Sequence, residues 1–457
     1  MKNKKIGIVI FKYPLGASLT LINSAILLAR QGYRVHIFID KKSLGRNKIK
    51  FKEKDITLHP IKDTRGVRNQ LTNESAAVRR YKKILAFRKQ KFKKVPIGQI
   101  GYLSFIFFAQ MPKLVSKIKE SLLFLYWRLY AKNIFSAKKM AHCINCFFKD
   151  IPCFYQNMAS FIDDKYLCII GVEPEGLIAA SLAAKEKIPV IYFNMELLLA
   201  KECKNLKKKV LKSLEKKYSK KCFLTLIQDE RRANFFIADN QVPKEKVICV
   251  PVAPLGKAYK KGSDYLHKKL NIGRDKKIII CAGSIAPWTM SLKLAKLAQK
   301  WNDDMVLVLH DWRNNLKNDP YIKQLKALTK NKKVFLSLSR VPWKDLPKLL
   351  SSAGIGIAFY EDRGVNYRET CLSSNKIASY LKAGLPLITS DYLSFRKIIG
   401  KYKCGKCAEG PHQVERLAKE IFKNYPFFRK NALRCYKEKY NFAASFNKVI
   451  KRIKTIK

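Results

Sequence analysis

Acidic residues are scarce: 34 Asp and Glu stand against 93 Lys and Arg, giving a formal net charge of +59 over 457 residues. Roughly half of that excess is what a lysine-rich background gives any protein, and the rest points to a negatively charged partner, nucleic acid or anionic lipid. No zinc-finger, helix-turn-helix or RNP-type signature is present, so the expectation is an anionic membrane surface and no nucleic acid. The first apolar run, Ile6–Phe11, is too short for a secretory core, and no small-residue cleavage site follows it. Twelve cysteines without a signal segment read as reduced thiols in a cytoplasmic protein. No G-x-G-x-x-G follows the first predicted strand, which argues against dinucleotide binding. No tandem repeat is evident. The 47% hydrophobic content excludes a disordered chain, and the length implies two domains.

What is there is a βαβ pattern. Lys5–Ile10 reads as a strand buried on both faces. Ser18 caps a helix with Leu21, Ile22, Ala25, Leu28 and Ala29 on one face; Gly32 ends it, and Arg34–Ile39 is the next strand. The pattern breaks over 61–160. Residues 61–140 hold 19 basic against 3 acidic residues, and within them Val95–Pro112 is an uncharged stretch of 18. Its prolines, glycines and glutamines read as a buried hairpin rather than a span. Together with the aromatic run Leu122–Trp127, it also suits an element that dips into anionic lipid.

Alternation resumes with strands at 166–170, 189–193, 223–228 and 247–250 and a helix over 176–187. Pro251 and Pro254 then mark a linker. The second half repeats the scheme, with strands at 277–282, 305–309, 334–338, 354–360 and 385–389. The predicted fold is therefore α/β, with two Rossmann-like parallel-sheet domains facing across a cleft: 1–253 with a basic, aromatic insertion at about 61–160; 254–430; and a C-terminal helix, 431–457, packing back toward the first domain.

The chemistry concentrates after Tyr360. A polar loop leads to Ser373-Ser-Asn-Lys376, and a helix follows that stops at Gly384. Ser374 or Asn375 at the helix start leaves N–H groups open to the cleft, an anion site that the helix dipole and Lys376 reinforce. In the first half, Gly171-Val-Glu-Pro-Glu-Gly176 follows a strand at its carboxyl end, where Glu173 or Glu175 is placed for acceptor contact or general-base work, and Glu196 is similarly placed. Glu175 also suits a plain helix-capping role.

The stretch Ser373–Asp391, with Ser-Asn-Lys followed by Ala-Gly-x-Pro, resembles the donor signature of the family 4, or "group 1", glycosyltransferases of GT-B fold. Ile280–Ile285 resembles the first strand and Gly turn of their C-terminal domain, and Gln228-Asp-Glu-Arg-Arg-Ala233 resembles a turn in their N-terminal domain. The resemblance implies a nucleotide-sugar donor, UDP-sugar favoured, no metal or other cofactor, and retention of configuration. It places Gly283 and Ser284 at the diphosphate, His310, Asp311 and Trp312 near the donor, and Val341 at the base. Tyr360, Ser373, Ser374, Asn375, Lys376 and Ser379 fall around phosphates and sugar, and Gly16 and Ala17 approach from the other domain. Glu173 and Lys376 are the candidate catalytic residues, and Glu173, Glu175 and Glu196 the candidate acceptor contacts.

Two family features differ. Where many relatives carry two glutamates eight positions apart, Cys371 and Ser379 stand in register; Glu361 and Glu369 have that spacing but precede the helix. The Arg and Lys that usually follow the Gly turn are replaced by Ile285-Ala-Pro-Trp288, leaving phosphate neutralisation to Lys376 with Arg363 or Arg368. Cys143/Cys146 and Cys404/Cys407, with His142 and His412 nearby, have zinc-ligand spacing but lie in different predicted domains and read as ordinary thiols. The expected function is sugar transfer to a lipid-linked or membrane-associated glycan acceptor in cell-surface polysaccharide assembly, by a cytoplasmic protein peripheral on the inner membrane face. A catalytically degenerate scaffold binding membrane or nucleic acid, and a sugar-nucleotide epimerase, are the alternatives.

Overall fold

The computed structural model describes residues 4–11, 13–15, 18–40, 43–44, 51–61, 165–204, 206–259, 261–311, 313, 319–339, 341–342 and 345–456. Apart from Ile61, the predicted insertion lies outside the described residues, with its runs 95–112 and 122–127 and with His142, Cys143 and Cys146.

Two parallel sheets organise the chain. The first contains β1 (Lys5–Ile10), β2 (Arg34–Asp40), β3 (Ile56–Ile61), β4 (Tyr166–Val172), β5 (Val190–Phe193), β6 (Leu224–Ile227) and β7 (Val247–Cys249), in the order β3-β2-β1-β4-β5-β6-β7. The second contains β8 (Lys277–Ala282), β9 (Met305–His310), β10 (Val334–Ser337), β11 (Ile355–Ala358), β12 (Leu387–Ser390) and β13 (Gly405–Ala408), in the order β10-β9-β8-β11-β12-β13. Each pairing is parallel, and Ile6, Val9, Ile10, Ile279 and Ile280 are sealed from solvent at the sheet centres. Strand order reverses between β1 and β4 and again between β8 and β11, so each sheet opens a crevice beyond its carboxyl ends at that switch point.

The edge strand β3 escapes sequence prediction because Ile-Thr-Leu-His-Pro-Ile carries Pro60. At an edge, a missing N–H costs no ladder bond. The other strand that sequence reading overlooks is β13, where Gly405 and Lys406 dilute the apolar signal.

The helices that shape the crevices are α1 (Leu19–Arg30), α2 (Glu173–Ala184), α3 (Leu206–Ser219), α4 (Glu230–Asn240), α5 (Asn375–Lys382), α6 (Tyr425–Lys439) and α7 (Phe442–Ile453). Ser18 caps α1 as its position suggests, accepting from Leu21 N at 3.4 Å. Helix α2 starts three residues earlier than its pattern indicates, at Glu173, because Pro174 suits a first turn and needs no N–H partner. It lies hard against the sheet: a Cβ on Gly176 would sit 2.6 Å from Val9 O, and one on Gly171 2.6 Å from Leu177 Cα. That close approach delivers Glu173 to the end of β4. The single C-terminal helix expected from sequence is two, since Asn441 caps a fresh start at α7 by accepting from Ala444 N. Helix α7 buries Phe442, Phe446, Val449 and Ile453, and Lys454 Nζ reaches Gln31 Oε1 at the end of α1, 3.3 Å away.

Gly171→Ala is expected to force α2 off β4 and lower stability by about 1–3 kcal/mol. Urea unfolding of the purified protein measures this, as a drop in midpoint without a change in slope.

Candidate active site

Strand β8 delivers the chain to Gly283, whose φ of +124° is open to glycine and whose N–H donates to His310 O at 2.9 Å. A Cβ here would sit 3.0 Å from Lys376 Cε. The missing side chain is what admits the lysine. Lys376 is the second residue of α5, whose cap is Ser374: its Oγ accepts from Ile377 N and shares a 2.7 Å hydrogen bond with Tyr360 OH. The ammonium Nζ is buried, lies 5.5 Å from the centre of the Tyr360 ring, and has no hydrogen-bond partner among the described residues. Burial opposes its charge; Cys281, Tyr360 and Asp311 more than offset this and hold its pKa above the ordinary lysine value. Asn375 Oδ1 is likewise buried without a partner. A dry ammonium with no acceptor is costly, and an anion at the N-terminus of α5 supplies what it lacks.

Neighbouring side chains build the turn. The Asp311 carboxylate, wholly buried, accepts from Ile285 N at 2.7 Å and from the Arg313 guanidinium, which in turn donates to Ile285 O at 2.8 Å. Asp311 thus shapes the Gly283–Ala286 turn instead of facing a ligand. Arg313 is a cation that sequence reading passed over. Its only signal was its position two residues after Asp311. His310 Nδ1 lies 3.0 Å from Ser337 O, an atom that only accepts, so Nδ1 carries the proton. Burial lowers the His310 pKa to about 4 and keeps the ring neutral. Val341 is a buried core side chain, Ser284 O accepts from Thr289, and Ser379 is half-buried in α5. Gly16, Ala17 and Trp312 lie outside the described residues.

On the first domain, Glu173 has φ +60°, a strained conformation for a residue with a side chain. Its Oε1 accepts from Met195 N (2.7 Å) and Glu196 N (3.0 Å). Burial first, and Glu196 second, raise its pKa well above the ordinary carboxylate value. Glu175 is half-buried in the same turn and adds to that upward shift. Exposed Glu196 accepts from Asn366 Nδ2 at 2.6 Å, a contact across the cleft.

Further cleft-spanning bonds surround it. Arg231 holds Glu369 through two 2.6 Å bonds. Glu202 accepts from Val365 N at 2.8 Å, and Leu197 N donates to Asn366 Oδ1 at 2.9 Å. Arg232 Nη1 reaches Ser373 Oγ at 3.2 Å, which places Ser373 at the domain junction.

These contacts account for several side chains. Glu361 pairs with Arg363 and Asp362 with Arg368, both pairs solvent-exposed. Cys371, in register with a family glutamate, is buried with Sγ 3.6 Å from Tyr440 OH. Cys404 is sealed against Cys435, and Cys407 Sγ lies 3.7 Å from Thr389 Oγ1. Among the described residues no group of three or more His, Cys, Asp and Glu is placed to hold a metal ion.

Residues 296–433 match the model of the "Glucosyltransferase 3-like, C-terminal domain" family. No curated protein is matched by the sequence. Solved structures similar over nearly the whole chain include the Anabaena protein HepE in complex with UDP-glucose (11% identity, TM-score 0.61, 99% of this chain and 100% of that one). Sucrose-phosphate synthase from Thermosynechococcus elongatus is similar at 10% identity and TM-score 0.63, over 100% of both chains. WaaG, a glycosyltransferase involved in lipopolysaccharide biosynthesis, is similar at 12% identity and TM-score 0.56, over 99% of each. The chain has the GT-B fold. Gly283 follows β8 and packs against Lys376 of α5 in the second domain, and Glu173 follows β4 in the first.

His310 gives a pH signature. Its folded pKa of about 4 lies below the ordinary 6.5, so the folded state binds fewer protons than the unfolded one. The stabilisation is full above pH 6.5 and is lost as pH falls toward 4. Between pH 7 and 5 the loss is about 2 kcal/mol. The expected outcome is that His310→Gln flattens the acid limb of stability against pH by that amount, read by urea unfolding at each pH.

Proposed function

We propose that this protein is a glycosyltransferase that moves a sugar from a nucleotide-diphosphate sugar, UDP-sugar favoured, to a membrane-associated or lipid-linked glycan acceptor in cell-surface polysaccharide assembly. One observation carries the reading: the buried Lys376 ammonium beneath Gly283, without a partner among the described residues, at the N-terminus of α5 and at the switch point of a parallel sheet. A diphosphate supplies the acceptors that this ammonium lacks. The same contacts strengthen as charge develops on the departing phosphate, which is the requirement for catalysis as distinct from binding. The match of 296–433 to a glucosyltransferase C-terminal domain supports the same assignment.

On the facing wall, Glu173 receives the acceptor hydroxyl proton when ionised. Its strained backbone and two N–H donors hold the carboxyl in one orientation. The family resemblance implies retention, whereas direct displacement assisted by Glu173 as base inverts, so the anomer of the product decides between them. The net charge of +59 supports a peripheral site on the cytoplasmic face of an anionic membrane. No described helix is long and apolar enough to cross one. Sedimentation with anionic and neutral vesicles at two salt concentrations tests this, and equal binding to both vesicle types removes the membrane assignment.

Calorimetric titration with UDP-, GDP- and ADP-sugars tests the donor site. Lys376→Ala is expected to weaken the preferred donor at least about tenfold, the loss of a charge-assisted hydrogen bond of about 1.5–3 kcal/mol. Unchanged affinity in that variant rejects the site, and no binding in the unaltered protein rejects the reading. Glu173→Gln keeps the Oε1 acceptor and is expected to retain donor binding while losing turnover. In the unaltered protein the rate is expected to rise with pH through the raised Glu173 pKa.

A further inference from the structure

Arg232 belongs to α4, in the first domain, yet four of its five side-chain hydrogen bonds end in the second. Its side chain is completely buried. Nη2 donates to Met195 O at 2.9 Å and to Asn366 Oδ1 at 2.8 Å. Nη1 donates to Ser373 Oγ at 3.2 Å and to the carbonyls of Asn366 and Glu369 at 3.4 and 3.5 Å. Nη2 alone touches both walls, and Nη1 adds three contacts on the second. Met195 is the residue whose N–H holds the Glu173 carboxylate. Ser373 precedes Ser374, the cap of the helix that carries Lys376. One planar guanidinium therefore joins the acceptor-side carboxyl, through Met195, to the donor-side cation, through the segment Ser373–Asn375.

The contact is costly to build, which separates it from incidental packing. A buried guanidinium is tolerated when its N–H groups are met by acceptors; Nη1 and Nη2 are met from two domains, which requires one mutual position of the domains, while Nε is buried with no partner among the described residues. The neighbouring pair Arg231–Glu369 crosses the same junction, with Glu369 buried and Arg231 partly solvent-exposed.

We propose that Arg232 is a positioning residue that registers Glu173 against the Lys376 donor site, so that the catalytic cleft is assembled only in the closed arrangement; this rests on the transferase reading above. Displacement of reacting groups by about 1 Å costs up to about a hundredfold in rate while donor contacts confined to one domain persist. Arg232 therefore acts on turnover and not on donor affinity.

Arg232→Lys is the test. It keeps the charge but cannot fork to both walls. The folded variant is expected to bind UDP-glucose within about threefold of the unaltered protein, to lose at least about tenfold in kcat, and to give an enlarged radius of gyration in small-angle scattering. Arg416→Ala, which removes an exposed ion pair within one helix, is expected to leave kcat within about threefold. An unchanged kcat in Arg232→Lys overturns the proposal. So does an equal loss of kcat and affinity, which marks general loss of the site. Should Arg232→Lys fail to fold, Asn366→Ala removes the Oδ1 acceptor of Arg232 on the second domain without stranding a new charge, and the same split between kcat and affinity is required of it. Should the unaltered protein bind no nucleotide sugar, the transferase reading fails separately. Scattering then still decides the bridge: an unchanged radius in Arg232→Lys overturns it.

Discussion

The arrangement of the cleft depends on burying one guanidinium between two sheets. Arg232 makes its hydrogen bonds to carbonyl and side-chain oxygens on both domains, and none of its surface is left to water. Removing a cation from water is expensive, and the expense is met only by geometry. The strand ends of β5 and the loop before α5 must therefore meet at one spacing. The remaining cleft contacts, Glu202 to Val365 and Glu196 to Asn366 among them, are distributed around that junction.

With the walls in register, each carries a group held away from its lowest-energy state. On one side is an ammonium in a dry niche, admitted because Gly283 has no side chain. On the other is a carboxyl on a strained backbone whose ionisation is opposed by burial. Neither state is what unconstrained folding selects, and strain of this kind persists where surrounding structure over-determines it. An anion relieves the first; a proton satisfies the second. A cleft offering both suits a reaction that releases a diphosphate and takes up a hydroxyl proton.

Much of the scaffold was legible in the residues. Continuous apolar runs such as Ile6–Ile10 and Ile278–Ala282 carry the parallel strands, since strands covered on both faces need no polar alternation. Ser18 and Ser374 announced helix starts through short-range capping chemistry, which depends on three residues and little else. Strand β3 was not legible, because its fitness lies in being at an edge, and edge position is decided by pairing. The break between α6 and α7 was hidden because Lys, Phe and Tyr run through both.

Within the site, sequence alone determined the local chemistry: a cation two residues into a capped helix, a glycine ending a strand, carboxylates after another. Those features arise from neighbours along the chain. Which of them face a ligand was decided by tertiary structure. Arg363, Arg368 and Arg313 are all basic residues near the crevice and each pairs with a carboxylate two to six positions away, whereas Lys376 Nζ has no partner among the described residues. Asp311 turned inward to hold a backbone turn. Arg232, read only as part of a motif, became the bridge because the residues it joins lie up to 141 positions away in the chain. Hydrogen-bond satisfaction in a buried space is a property of the whole packing, and no local pattern encodes it.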